Sequence, residues 1–73
     1  MDNFVSRLSS LREAHNTTLA TLATAIDVSL RALKYYSAGQ REPSLSTLIA
    51  LADYFGVSLD YLVGRSDDPT LHR

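Results

Sequence analysis

Cysteine is absent from the 73 residues. That excludes a disulfide framework and any thiolate zinc site, and it suits a reducing compartment. Long apolar runs are missing too: none approaches the roughly 18 residues that cross a bilayer. Arg7, Arg12 and Glu13 interrupt the N-terminal apolar pattern, which is not the layout of a signal peptide. There is no glycine-rich phosphate loop, no strand-like alternation, no internal repeat and no low-complexity tract. Histidine is scarce. His15 and His72 lie far apart and neither has a second ligand at metal spacing, so no metal and no cofactor is expected. Asp67 and Asp68 are adjacent, which cannot hold two carboxylates across a substrate, and no serine or threonine neighbours a recognisable base. The chain reads as a binder, not an enzyme.

An excess of positive charge is the next thing lacking. Seven Lys and Arg stand against eight Asp and Glu, a net charge of −1, where a nucleic-acid binder is usually strongly basic. The two halves differ, however. Residues 1–41 hold Arg7, Arg12, Arg31, Lys34 and Arg41 against Asp2, Glu13 and Asp27, a net of +2. Residues 42–73 hold Arg65 and Arg73 against Glu42, Asp53, Asp60, Asp67 and Asp68, a net of −3. A polyanion would meet the N-terminal half.

What is present is helical pattern. Hydrophobic residues make up 45 % and charged ones only 21 %, enough apolar content for one small core in one domain. Phe4, Leu8 and Leu11 recur at helix spacing, Val5 widens their stripe, and Asp2 or Asn3 would cap the start. After the break at His15-Asn16-Thr17, Thr18 would cap a second helix with Leu22, Ala23 and Ile26 inward. Its capping box is incomplete, since Thr21 stands where Glu or Gln would reach back. Ser29 would cap a third helix, with Leu33 and Tyr36 inward and Gly39 as its stop. Beyond the polar stretch Gln40-Arg41-Glu42-Pro43, Ser44 would cap a fourth, with Leu45, Leu48, Ile49, Ala52 and Phe55 as its core stripe and Gly56 as its end. Ser58 opens a last short helix, Leu59 to Val63, closed by Gly64. The fold class expected is all-α, a five-helix bundle over residues 1–66, with residues 67–73 as a flexible C-terminal tail.

Two short helices across a tight turn, Leu19–Ala25 and Leu30–Ser37, form a candidate helix-turn-helix. The surrounding text is more specific. Leu22-Ala23-Thr24-Ala25-Ile26-Asp27-Val28-Ser29, then Arg41-Glu42-Pro43-Ser44-Leu45, then the run from Leu51 to Pro69, closely resemble the phage repressor and Cro (XRE-like) type of helix-turn-helix family. The resemblance spans about residues 4–69. It implies a transcriptional regulator of double-stranded DNA whose third helix enters the major groove. Thr18 matches the polar cap of the family's second helix, but Leu19 replaces its phosphate-holding Gln. Asp27 stands where the turn usually carries Gly, and Ser37 where a Glu is common. Aspartate tolerates left-handed backbone angles, so the turn is expected to form.

The DNA-facing residues expected are Thr18, Leu19, Ser29, Leu30, Arg31, Lys34, Tyr35, Gln40 and Arg41. Arg31, Lys34 and Tyr35 lie at i, i+3 and i+4, on the side opposite Leu33 and Tyr36. Arg31 in the first turn would fork onto a guanine edge. Lys34 and Arg41 would hold phosphates, the Tyr35 hydroxyl a phosphate or base edge, and Leu30 a thymine methyl. Backbone N–H groups near Thr18 and Leu19 would hold a phosphate whatever the side chain. The same charges also fit an ordinary solvated helix face, and Tyr35 equally fits the edge of a core. The departures fall on the DNA-facing elements, which leaves two partners open: an operator, or another phage regulator protein bound by an antirepressor of the same fold. Leu59, Tyr61 and Val63 of the last helix would present apolar area to a second copy in a homodimer, or would seal a monomer's core. The resemblance implies a cytoplasmic location, with a bacterial or phage-encoded origin.

Overall fold

A computed structural model describes residues 2–70. It has five helices: α1 Asp2–His15, α2 Leu19–Ile26, α3 Leu30–Ser37, α4 Leu45–Phe55 and α5 Leu59–Leu62. No strand occurs among the described residues, and no helix among them is long and apolar enough to cross a membrane. The all-α, five-helix expectation is met.

All five helices end in the same way. Asn16, Asp27, Gly39, Gly56 and Gly64 take positive φ, between 54° and 85°. The N–H of the following residue then bonds back to a carbonyl five positions earlier: Thr17 to Arg12, Val28 to Ala23, Gln40 to Tyr35, Val57 to Ala52 and Arg65 to Asp60, all within 2.8–3.1 Å. This is the six-to-one closure that satisfies a helix's orphan carbonyls. Starts are equally uniform. Thr18, Ser29, Ser44 and Ser58 accept a hydrogen bond from the N–H three residues on, at 3.1, 3.0, 3.3 and 3.0 Å. Each such cap contributes about 1 kcal/mol. At Thr18 the missing box partner is replaced by a hydroxyl pair, the Thr18 hydroxyl donating to Thr21 at 3.0 Å. Asp2 and Asn3, considered as caps, lie inside α1 instead.

The core draws on every helix. Phe4, Leu8 and Leu11 of α1 meet Leu22, Ala23, Leu33, Leu51, Ala52, Phe55, Val57 and Leu62. Helix α1 packs on α3 and α5, α2 on α3 and α4, and α4 on α5. His15 sets its ring edge-on to Phe55, 5.1 Å between centroids, a packing role.

One expected face is rotated. Leu45 and Ile49, read as core, are exposed at 64 % and 44 %, whereas Leu51 is fully buried. The inward set of α4 is Thr47, Leu48, Leu51, Ala52 and Phe55. Both sets obey the helix period, and α4 is apolar nearly all round, so spacing alone does not choose between them. The buried Thr47 hydroxyl is satisfied by Ser44 at 3.0 Å, which removes the cost of turning a polar residue inward.

The segment expected as a tail is tied down over its described part. Asp67 accepts from the Arg7 guanidinium at 2.7 Å, and the Pro69 carbonyl accepts from the Ser58 N–H at 3.0 Å. Residues 71–73, including His72, lie outside the described residues. Arg7 also stacks on the Tyr61 ring, 3.9 Å from its centroid. Burial alone would lower its pKa, but hydrogen bonds to Asp67 and Tyr61 and their charges outweigh that and hold it above its ordinary value.

The α4 rotation fixes an expected contrast in stability. Leu51→Ala removes a fully buried side chain and is expected to cost about 2–5 kcal/mol. Leu45→Ala is expected to stay within about 0.5 kcal/mol of the parent chain. Urea unfolding of the two variants checks this; equal losses would overturn the rotation, and a larger loss at Leu45 would put Leu45, not Leu51, in the core.

Candidate nucleic-acid interface

The angle between α2 and α3 is set by three residues. Asp27 adopts φ 59° and ψ 47°, the left-handed conformation. Val28 then folds its half-buried side chain onto the core, and Ser29 caps α3. The Asp27 substitution therefore leaves the turn intact. Leu19 is half-buried and packs against the core. Its side chain is thus turned away from solvent, which leaves only the α2 backbone N–H groups beside it for the phosphate expected there. Thr18 and Ser29 are exposed, with their hydroxyls engaged as caps.

Fixing α3 in this way leaves one side of it open. Leu30, Arg31 and Lys34 are exposed and Tyr35 half-buried, while Leu33 faces the core. Ser37, in the position where the family commonly has a Glu, turns its hydroxyl back to the Lys34 carbonyl at 3.0 Å. After α3 the chain turns at Gly39 into an exposed loop carrying Gln40 and Arg41. Leu30, Arg31, Lys34, Tyr35, Ala38 and Gln40 together line a shallow open depression of about 540 Å³. The Arg41 guanidinium lies 4.7 Å from the Tyr35 ring centroid, and that of Arg31 lies 5.9 Å from it. Seven of the nine residues expected to face DNA are thus gathered on α3, its cap and its following loop. Thr18 and Leu19 stand apart, at the start of α2.

Charge pairing sharpens this face. Arg7 is tied to Asp67, and Arg65 stands 4.0 Å from Asp60. Among the described residues no carboxylate lies within ion-pair distance of Arg12, Arg31, Lys34 or Arg41. Arg12 is not among the residues that sequence reasoning assigns to the interface. It is half-buried, its Nε donates to the Thr17 carbonyl at 3.2 Å, and it borders a second depression with Ser9, Glu13, Asn16, Thr17 and Thr18. No group of three metal-binding side chains occurs among the described residues.

Leu59, Tyr61 and Val63 are all half-buried. Leu62 is fully buried. Tyr61 packs partly on the core with Arg7 across its ring, so less of it faces outward than its place on the helix suggested.

Comparison with known proteins bears on the whole arrangement. A helix-turn-helix family model (HTH_3) matches residues 8–62. The chain is 38% identical over 66 residues to the HTH-type transcriptional regulator YobD of Bacillus subtilis, covering 90% of this chain and 59% of that protein. It is 39% identical over 59 residues to the cryptic phage CTXphi transcriptional repressor RstR of Vibrio cholerae, covering 81% and 53%. The crystal structure of a transcriptional regulator from Listeria innocua superposes with a TM-score of 0.78 at 38% identity, covering 84% of this chain and 57% of that one. The chain thus spans somewhat more than half the length of the relatives it matches. With the match running from α1 to α5 and the helix pair held at the Asp27 turn, the chain belongs to the helix-turn-helix family.

Proposed function

We propose that this chain is a sequence-specific DNA-binding transcriptional regulator that lays α3 in the major groove of a double-stranded operator. The observation that carries the reading is the placement of Arg31, Lys34 and Arg41 on α3 and its loop, unpaired by carboxylates and exposed. Arg31, in the first turn of α3, reads a guanine through its forked donors. Lys34 and Arg41 hold phosphates, as do the N–H groups at the start of α2. Tyr35, Leu30 and Gln40 complete the face. Residues 1–66 act as the binding domain, in the cytoplasm. Two copies joined through Leu59, Tyr61 and Val63 would set their α3 helices about 34 Å apart, one turn of DNA, and read a palindrome.

A second reading has a specific support. Leu30, at the start of α3 on the reading face, is 38 % exposed, and an apolar group there suits a protein surface as well as a thymine methyl. On this reading the chain is an antirepressor that binds another regulator.

Salt separates the two. Duplexes selected from a random pool by the wild-type protein are expected to lose affinity linearly in log salt, with a slope of about −0.9 per phosphate neutralised. Arg31→Ala is expected to weaken the selected duplex by roughly 5- to 100-fold and to relax preference at one base position. Lys34→Ala and Arg41→Ala are expected to weaken all duplexes alike and to reduce the slope by about one each. A protein that selects no sequence and binds no duplex at low salt sinks the DNA reading and favours the second.

The dimer is tested by sedimentation at micromolar concentration, with and without the selected duplex. Wild type is expected to sediment as a dimer on DNA and Val63→Glu as a monomer of unchanged helicity. A wild-type monomer in both conditions overturns the palindrome reading.

A further inference from the structure

We propose that Tyr35 is a positioning residue: its ring face orders the guanidinium groups of Arg31 and Arg41 together, coupling the base reader to the strand holder. The inference rests on the DNA-binding reading and assigns Tyr35 a different part from the one its hydroxyl suggests. Three observations carry it. Tyr35 is half-buried yet is not among the side chains packed against the core, unlike its neighbour Tyr36. What covers it is therefore the surface of its own face. Two guanidinium groups lie at its ring, Arg41 at 4.7 Å and Arg31 at 5.9 Å, inside the roughly 6 Å range where a ring attracts a cation. Its hydroxyl takes part in no hydrogen bond with the described residues, so the ring, not the oxygen, is what holds the cluster.

The two arginines come from different elements. Arg31 is fixed by the first turn of α3, whereas Arg41 rides on the exposed loop beyond Gly39. A long side chain on such a loop loses rotamer freedom when it grips a phosphate. Contact with an aromatic face one turn below Arg31 removes part of that freedom before DNA arrives. Arginine suits this better than lysine, because its planar group both stacks and keeps its in-plane donors free.

Tyr35→Phe and Tyr35→Leu separate ring from hydroxyl, and neither lowers the helix propensity at this position. In the free protein, ring-current shifts of the Arg31 and Arg41 side-chain protons are expected in wild type and Tyr35→Phe and absent in Tyr35→Leu. This readout needs no DNA, so it stands or falls apart from the DNA reading. On duplexes selected by wild type, Tyr35→Phe is expected to bind within about twofold. Tyr35→Leu is expected to lose roughly two- to fivefold per guanidinium released, with the specific-to-random ratio falling as well. The loss is expected to shrink when Arg41→Ala is already present, which a merely structural role would not produce. Unperturbed arginine shifts in wild type overturn the proposal. So does a Phe variant as weak as the Leu variant, since that result assigns the role to the hydroxyl.

Discussion

The left-handed residue that closes each helix is the constraint on which the remaining structure depends. Three of the four connections repeat one plan: a left-handed residue, one residue outside any helix and an extended hydroxyl cap, as in Asn16-Thr17-Thr18, Asp27-Val28-Ser29 and Gly56-Val57-Ser58. The six-to-one bond ends one helix and the cap starts the next two residues later. Such a connection has little freedom, so the backbone that joins α2, α3 and α5 to their neighbours restricts the directions these helices can take. Helices of four to eight residues would not hold their shape alone. Fixing their ends lets a small core, with eleven buried aliphatic and aromatic side chains among the described residues, do the rest. Gly64 shows how tight this becomes: a Cβ there would fall on the Asn3 side chain.

The fourth connection breaks the plan. Between α3 and α4 the chain leaves its left-handed stop at Gly39 and runs through Gln40, Arg41, Glu42 and the buried Pro43 before Ser44 caps α4. This is the one link whose exposed residues are not used up in joining helices, and it lies next to α3. Net charge hides the local sign of this region. Arg7 and Arg65 are neutralised against acids of the C-terminal half, so among the described residues the cations left unpaired lie in the first 41. At physiological salt, charges more than about 8 Å apart are largely screened. A face bearing three such cations is therefore locally positive on a chain of net charge −1.

Local chemistry was legible in the sequence; long-range chemistry was not. The caps at Thr18, Ser29, Ser44 and Ser58, the stops at Gly39, Gly56 and Gly64, and the tolerance of Asp27 for a positive φ all follow from single residue types, and all are present. Leu22 and Leu33 are buried as their spacing implied. The rotation of α4 was not readable, because a helix apolar on every side gives no phase. Nor was the Arg7–Asp67 pair, whose partners stand 60 positions apart; counting Arg7 with the polyanion-facing charges overlooked a residue occupied in structure. In the candidate interface, helix spacing placed Arg31, Lys34 and Tyr35 on one side. It could not place Arg41 against Tyr35, since that contact depends on the path of the loop.

The replacements on α2 and α3 become intelligible once side chain and backbone are separated. Leu19 removes a phosphate-binding amide, yet its own side chain packs inward and the N–H groups at the start of α2 remain. Neither α2 nor α3 carries an acid in its first turn, where Asp or Glu would offset the positive end of the helix dipole. Helix α5, remote from this face, does carry one, Asp60. An acid in the first turn of α2 or α3 would stabilise that helix by some tenths of a kcal/mol, and it would repel a phosphate at the same spot. Leaving both ends uncompensated keeps a partial positive charge of about half a unit at each, fixed by backbone and independent of side-chain identity. For the phosphate contact proposed at this end, a change such as Leu19 alters the reach and leaves the sign unchanged.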